Sequence, residues 1–242
     1  MNNDEETVQM LRNNKYYFIP VVNVDGLALI EETHLSSGHL TSILDKRKNM
    51  GPVGLQCDDE RFQGVDLNRN YGVDWKVSLA GGKAGRDPCS ETYPGEKAFS
   101  EKESTAIKEF MEAHKDEVKF VINFHSNGNS FMWPFNGRHP NDIESRAPGV
   151  LAIVKEIAEK ANFPPNLKTG NAYDVIEEKV GGDADDFITA TFKIPSVTSE
   201  IGFAEQFIED WVVKSKEAAF DICKLNGYWL EYVFSNLPKF SS

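Results

Sequence analysis

The stretch Val118 to Phe124 is an almost unbroken apolar run, interrupted only by Lys119 and Asn123. A run of this kind predicts a strand covered on both faces. Such a strand needs a layer above and a layer below it, and the flanking sequence offers both. Ser100-Glu101-Lys102-Glu103 reads as a capping box opening a helix that ends near His114-Lys115, with Ile107, Phe110 and Met111 at helical spacing. Val150, Ile153, Val154, Ile157 and Ala161 mark one face of a second helix, which Pro164-Pro165 ends. Pro195 to Ile201 predicts another buried strand, and Trp211 to Phe234 a closing helix with a weak point at Gly227. Strands alternating with helices predict an α/β fold, with a mixed, mainly parallel central sheet and helices on both faces.

The remaining stretches are less periodic. Glu5 to Leu11 reads as the last turns of a helix feeding a buried strand, Lys15 to Val22, which ends in a turn at Asp25-Gly26. Leu27 to Gln56 predicts a long surface excursion with at most a short helix, and Val73 to Gly95 a loop. Phe131, Trp133, Pro134 and Phe135 are read as core, and so is Cys223. No repeat or low-complexity segment breaks the chain, so residues 1–242 are expected to form one domain. The net charge of -12, from 38 acids against 26 bases, argues against nucleic acid as a partner. No stretch is apolar and long enough to span a bilayer, so membrane insertion is not expected.

Chemistry concentrates at four places. In Gly64-Val65-Asp66-Leu67-Asn68-Arg69-Asn70-Tyr71 a guanidinium stands beside a carboxamide. That pair offers forked donors suited to a carboxylate, although a polar turn paired to a local acid would read the same. Lys46-Arg47-Lys48 is either a functional cluster or a solvated patch. His125-Ser126 closes the first apolar run, at the sheet edge where ligands collect in open α/β folds. Glu200 stands near the end of another strand, where partial desolvation would raise its pKa toward that of a useful general base. A glutamate facing solvent would occupy the same place.

With Asn23-Val24-Asp25-Gly26, these pieces stand in the order of the zinc carboxypeptidases of the carboxypeptidase A/B family, which the chain resembles from about Leu11 to its last helix. The resemblance implies peptide C-termini as ligands and release of C-terminal amino acids with one zinc ion. It implies His125 as a zinc ligand and Glu200 as the carboxylate that takes a proton from water. It also implies Arg47 as the oxyanion stabiliser, and Asn68 with Arg69 as the grip on the terminal carboxylate. Counting back from Glu200 without a gap puts the specificity position on Asp185, which would favour basic C-terminal residues. A one-residue slip gives Ala184, and an acidic surface turn is the plain alternative. The family's disulfide falls on Cys57 and Cys89, implying an oxidising compartment, secretory or lysosomal. Met1 to Glu6 has neither the basic nor the apolar region of a signal peptide.

Two departures stand out. The family's His-x-x-Glu, source of two zinc ligands, matches none of His34, His39, His114, His125 or His139. Glu177-Glu178 occupies the place of the family's lid tyrosine. The expectation is that Met1 is not the natural start of the fold. An upstream segment or a partner chain would then cover the sheet. The alternatives are an inactive carboxypeptidase-like subunit with a binding or assembly role, and an amidohydrolase acting on small N-acyl compounds.

Overall fold

The computed structural model describes residues 5–37, 46–51, 57–80, 86–136, 143–208 and 212–240. In chain order its elements begin with α1 (Glu5–Asn13), α2 (Val24–Ser37), α3 (Trp75–Ala80) and α4 (Lys102–His114), followed by β1 (Val121–His125), β2 (Ser130–Met132) and α5 (Ile143–Arg146). Then come α6 (Val150–Lys160), β3 (Lys168–Gly170), α7 (Ala172–Ile176), α8 (Ala184–Phe192) and β4 (Ser196–Glu200), and last the short pair β5 (Phe207–Ile208) and β6 (Val212–Val213) before α9 (Lys216–Asn236). Four strands form the central sheet in the order β1-β4-β2-β3. β1 runs parallel to β4 and β2 parallel to β3, while β2 and β4 are antiparallel. The sheet is thus mixed and mainly parallel, as the sequence predicts.

Alternation along the strands divides the core in two. Ile122 and Val197 point to one face, where Phe131, Phe135, Val154, Ile157 and Trp229 gather under α6 and α9. Val121 points to the other, joining Tyr71, Met111, Phe187 and Ile188 from α4, α8 and the loop before them. Asn123, Ser196 and Thr198 share that second side and hydrogen-bond the Asp185 carboxylate. Period-two side chains need a helix layer on each face, which is what forms.

Several expectations are corrected. Lys15 to Val22 makes no ladder with any described strand. Tyr16 packs edge-on against Phe234 at 5.0 Å and Tyr17 against Phe110 at 5.1 Å, while Phe18 is 82% exposed. Strand conformation is not stable without a partner, so apolar content alone does not make one here. Asn23 does not close a strand but starts a helix: its Oδ1 accepts from the Gly26 amide, and α2 follows for 14 residues. Positions 38–45 and 52–56 of the expected excursion lie outside the described residues, as does Trp211. Helix α3 interrupts the loop expected from Val73 to Gly95. Cys223 is exposed on α9, and Gly227 lies within that helix without ending it.

The expected capping box before α4 is also replaced. Asn70 performs that task from a distance: its Oδ1 accepts from the Glu101 amide and the Ser104 hydroxyl. Its Nδ2 donates to Ser100 Oγ and to the carbonyls of Pro94 and Lys97. One fully buried carboxamide therefore ties the 64–71 stretch to α4.

Candidate functional site

His125 and Glu200 are the last residues of two parallel strands and stand directly opposite each other in the β1–β4 register. The Ile201 amide donates to the His125 carbonyl at 2.8 Å, which locks the two ends together. Chain geometry therefore brings these two side chains to one edge of the sheet, although 75 positions separate them in numbering.

The 64–71 stretch is fixed against this edge by close backbone packing. Gly64 has φ +92°, and a Cβ there would sit 1.9 Å from the Asn49 carbonyl oxygen. Gly182, at φ +69°, passes so near Arg69 that a Cβ would lie 2.2 Å from its carbonyl oxygen. Only glycine takes up such positions without displacing the neighbour. Within the stretch the Asp66 carboxylate accepts from the Asn68 amide, capping the short turn Leu67–Arg69, and binds Arg47 Nε at 2.8 Å. The Asn68 Oδ1 accepts from the Ala184 amide, which turns its Nδ2 toward His125 Nε2 at 3.4 Å.

These side chains surround a cavity of about 270 Å³. Arg47, Asn68, Arg69, His125 and Glu200 all line it. Asp185, expected to reach substrate, does not. It is 1% exposed, with its oxygens engaged by Asn123, Ser196 and Thr198. Asp183 lines the cavity instead. Its Oδ1 caps α8 through the Asp186 amide and accepts from Asn136 Nδ2. Its Oδ2 is the one buried side-chain oxygen or nitrogen without a hydrogen bond among the described residues. A turn at Lys193, with φ +61°, separates α8 from β4. The rim carries Ile176, at the end of α7, and Val180. Glu177 and Glu178 are exposed between them.

Burial and charge set the protonation states. Desolvation pushes Glu200 up to about 7, against the opposing pull of Arg47 and Arg69. Burial, reinforced by Arg47, lowers His125 to about 4, so its imidazole is neutral at pH 7. The Arg47 guanidinium is held above its ordinary value, first by Asp66. Burial disfavours the Asp66 anion, but Arg47 and Arg69 outweigh that and keep its pKa low. Burial lowers Arg69, whose only side-chain hydrogen bond to described residues runs from Nη1 to the Asn68 carbonyl at 2.9 Å. Arg69 therefore presents unused donors at the cavity, as a carboxylate ligand requires.

A zinc ion is poorly served by this set. Catalytic zinc takes three protein ligands, and among the described residues no three His, Cys, Asp or Glu side chains gather to hold an ion. Among the described residues His125 is the sole histidine lining the cavity, together with the guanidinium groups of Arg47 and Arg69. His39 and His139 lie outside the described residues. The described side chains do not by themselves hold zinc.

Three residues were not singled out from sequence. Asp66, buried beneath Arg47, carried a signal, since an acid two residues before Asn68 is placed to cap its turn. Asn70 and Asp183 carried none that separates them from neighbouring polar positions. The expected disulfide between Cys57 and Cys89 is formed. No helix among the described residues is long and apolar enough to cross a membrane.

A family model described as zinc carboxypeptidase matches residues 1–220. A zinc carboxypeptidase of Simulium vittatum is 30% identical over 179 residues, covering 73% of this chain and 53% of the relative. Carboxypeptidase B of Bos taurus is 32% identical over 121 residues, covering 50% of this chain and 25% of that protein. The chain thus spans about half the length, or less, of these relatives. Among solved structures, carboxypeptidase A from Helicoverpa armigera superposes with a TM-score of 0.60 at 25% identity, covering 90% of this chain and 51% of that one. Bovine thrombin-activatable fibrinolysis inhibitor, solved with a tick carboxypeptidase inhibitor, gives 0.66 at 21% identity over 97% and 75% of the two chains, a likeness of fold.

Proposed function

The chain belongs to the zinc carboxypeptidase family, and on that premise we propose that its cavity receives the C-terminus of a peptide and serves the release of the terminal amino acid. The observation that carries this reading is the convergence of Arg47, Asn68, Arg69, His125 and Glu200 on one cavity. Arg69 and Asn68 bind the terminal carboxylate. Discrimination follows from burial, because a peptide amide would desolvate the unused Arg69 donors without offering them a carboxylate. Glu200, titrating near neutrality, accepts a proton from water and returns it to the leaving amine. Arg47, braced by Asp66, faces the oxygen on which negative charge develops.

Zinc, when bound in this family, supplies the polarised carbonyl and the activated water. In our reading His125 is one ligand, and the other described side chains add none. Asp183, which lines the cavity and keeps one buried oxygen without a hydrogen bond, supports a preference for basic C-terminal residues. The disulfide supports an oxidising compartment.

A second reading is favoured by the absence of a three-ligand cluster among the described residues: a subunit that binds peptide C-termini without cleaving them. The test is one experiment on the chain supplied with zinc. Peptides ending in Lys, Phe or a C-terminal amide are followed for binding and for release of the last residue. Release from the free acids, lost in Glu200→Gln, supports the peptidase; binding of the free acids without release supports the subunit; indifference to amidation refutes both.

A further inference from the structure

Lys46 and Lys48 flank Arg47, yet neither is solvated and neither forms an ion pair with a described carboxylate. Lys48 is fully buried. Its Nζ donates to the carbonyls of Phe62, Pro88 at 2.6 Å and Ser90 at 2.9 Å, and it lies 5.5 Å from the centre of the Tyr93 ring. Lys46 places its Nζ against the carbonyls of Glu60, Arg61 and Gln63. An ammonium has three protons, and both lysines use all of them on backbone oxygens. The interleaved Arg47 takes the other direction, to Asp66 and the cavity.

The Lys48 cage joins two loops. Phe62 belongs to the one that follows Cys57, and Pro88 and Ser90 flank Cys89. The disulfide joins the same loops covalently, so Lys48 is a second clasp across one junction. Both loops lead directly into the site. Three residues after Gln63 the chain reaches Asp66, which braces the Arg47 guanidinium, and just after Ser90 come Glu91 and Thr92 of the cavity wall. A buried cation among neutral carbonyls is an expensive way to fill space, and an apolar side chain of similar length would fill it.

We propose that Lys48 is a positioning residue for Arg47: its three-carbonyl cage fixes the backbone from which Arg47 reaches the cavity, and does so independently of the Cys57–Cys89 bridge. The catalytic consequence rests on the peptidase reading above; the positioning itself does not. Arg69, besides the hydrogen bond from its amide to Asp66, has anchors of its own in Asn68, held by the Ala184 amide, and in the packing of Gly182. Loss of the clasp should therefore misplace the oxyanion contact while leaving the carboxylate grip intact.

The experiment compares Lys48→Met, Arg47→Ala, the double variant and Cys57→Ser/Cys89→Ser in the full chain with zinc. Lys48→Met is expected to lower kcat about tenfold to a hundredfold with KM unchanged, as for a displacement near 1 Å at a reacting centre. It should add nothing further in the Arg47→Ala background. The cysteine variant should lose stability but keep most of its kcat. Nitrogen-15 NMR supplies a readout that does not need activity: the Arg47 Nε–H bound to Asp66 should lose its protection from exchange in Lys48→Met, while the buried Trp229 Nε1–H bound to Asn226, remote from the clasp, keeps it. Unchanged Arg47 protection, or independent multiplication of the Lys48 and Arg47 effects, overturns the proposal. A wild-type chain without activity refutes the peptidase reading and leaves the NMR comparison decisive. Lys48→Gln, which keeps two donors, should give a partial loss of protection. Failure of both lysine variants to fold overturns a positioning role in favour of a purely structural one.

Discussion

Replacing Glu200 with Gln should stabilise the fold, and the gain should grow with pH. Glu200 titrates at about 7 in the folded chain against an ordinary 4.5. Between those values the folded state holds a proton that the unfolded state has released, so stability falls as pH rises. This contribution is fully present below pH 4.5 and is lost as pH rises through 7. At about 1.4 kcal/mol per pH unit the gap amounts to roughly 3 kcal/mol. Water at the cavity screens part of it, leaving about 2 kcal/mol. Glutamine matches the shape of the protonated acid and never ionises. Urea melts followed by tryptophan fluorescence should therefore show the Gln variant ahead by about 0.5 kcal/mol at pH 5 and about 2 kcal/mol at pH 8. Asp185, pushed up to about 7 by burial and by Asp183, titrates in the same window but is present in both proteins and cancels. A difference that stays flat with pH would mean that Glu200 ionises at its ordinary value, and the argument for a tuned base would be lost.

Other outcomes follow from the same geometry. Activity toward C-terminal peptides should rise with pH through an apparent pKa near 7 as Glu200 loses its proton; a profile level from pH 5 to 8 contradicts that assignment. Arg69→Gln should weaken binding of a free-acid peptide about tenfold to a hundredfold while leaving an amidated one unaffected, measurable by calorimetry. Asn70→Ala should destabilise the fold by about 3 kcal/mol in denaturant melts, because it strands the buried Glu101 amide and removes the donors to Pro94, Lys97 and Ser100. Asp183→Asn should erase a preference for Lys over Phe at the peptide terminus without lowering the rate on Phe, whereas Asp185→Asn should mainly cost stability; the opposite pattern would restore Asp185 to the substrate.

The sequence was most legible where burial imposed a period. The runs ending at His125 and Glu200 formed neighbouring parallel strands, and the alternation of Val121, Ile122 and Asn123 sorted side chains to two faces as the pattern required. The helix of Val150, Val154 and Ile157 formed for the same reason. What could not be read was anything dependent on a partner distant in the chain. Lys15 to Val22 has the composition of a strand, but composition does not supply a neighbour. Ser100 and Glu103 have the spacing of a capping box, yet Asn70, 30 positions from Ser100, takes the Glu101 amide. Likewise Lys46-Arg47-Lys48 reads as a charged patch until the carbonyl cages place two of the three inside. Among the three aspartates crowding residues 183–186, sequence spacing does not separate the one that lines the cavity, Asp183, from Asp185, which is buried against Asn123, Ser196 and Thr198.

His125 stands at the tip of a strand that, among the described residues, pairs on one side only. Polypeptide joining that strand and an ion joining that imidazole would consequently share one coupling free energy. By reciprocity, whatever factor the ion adds to the affinity for the incoming strand, the strand must return to the affinity for the ion.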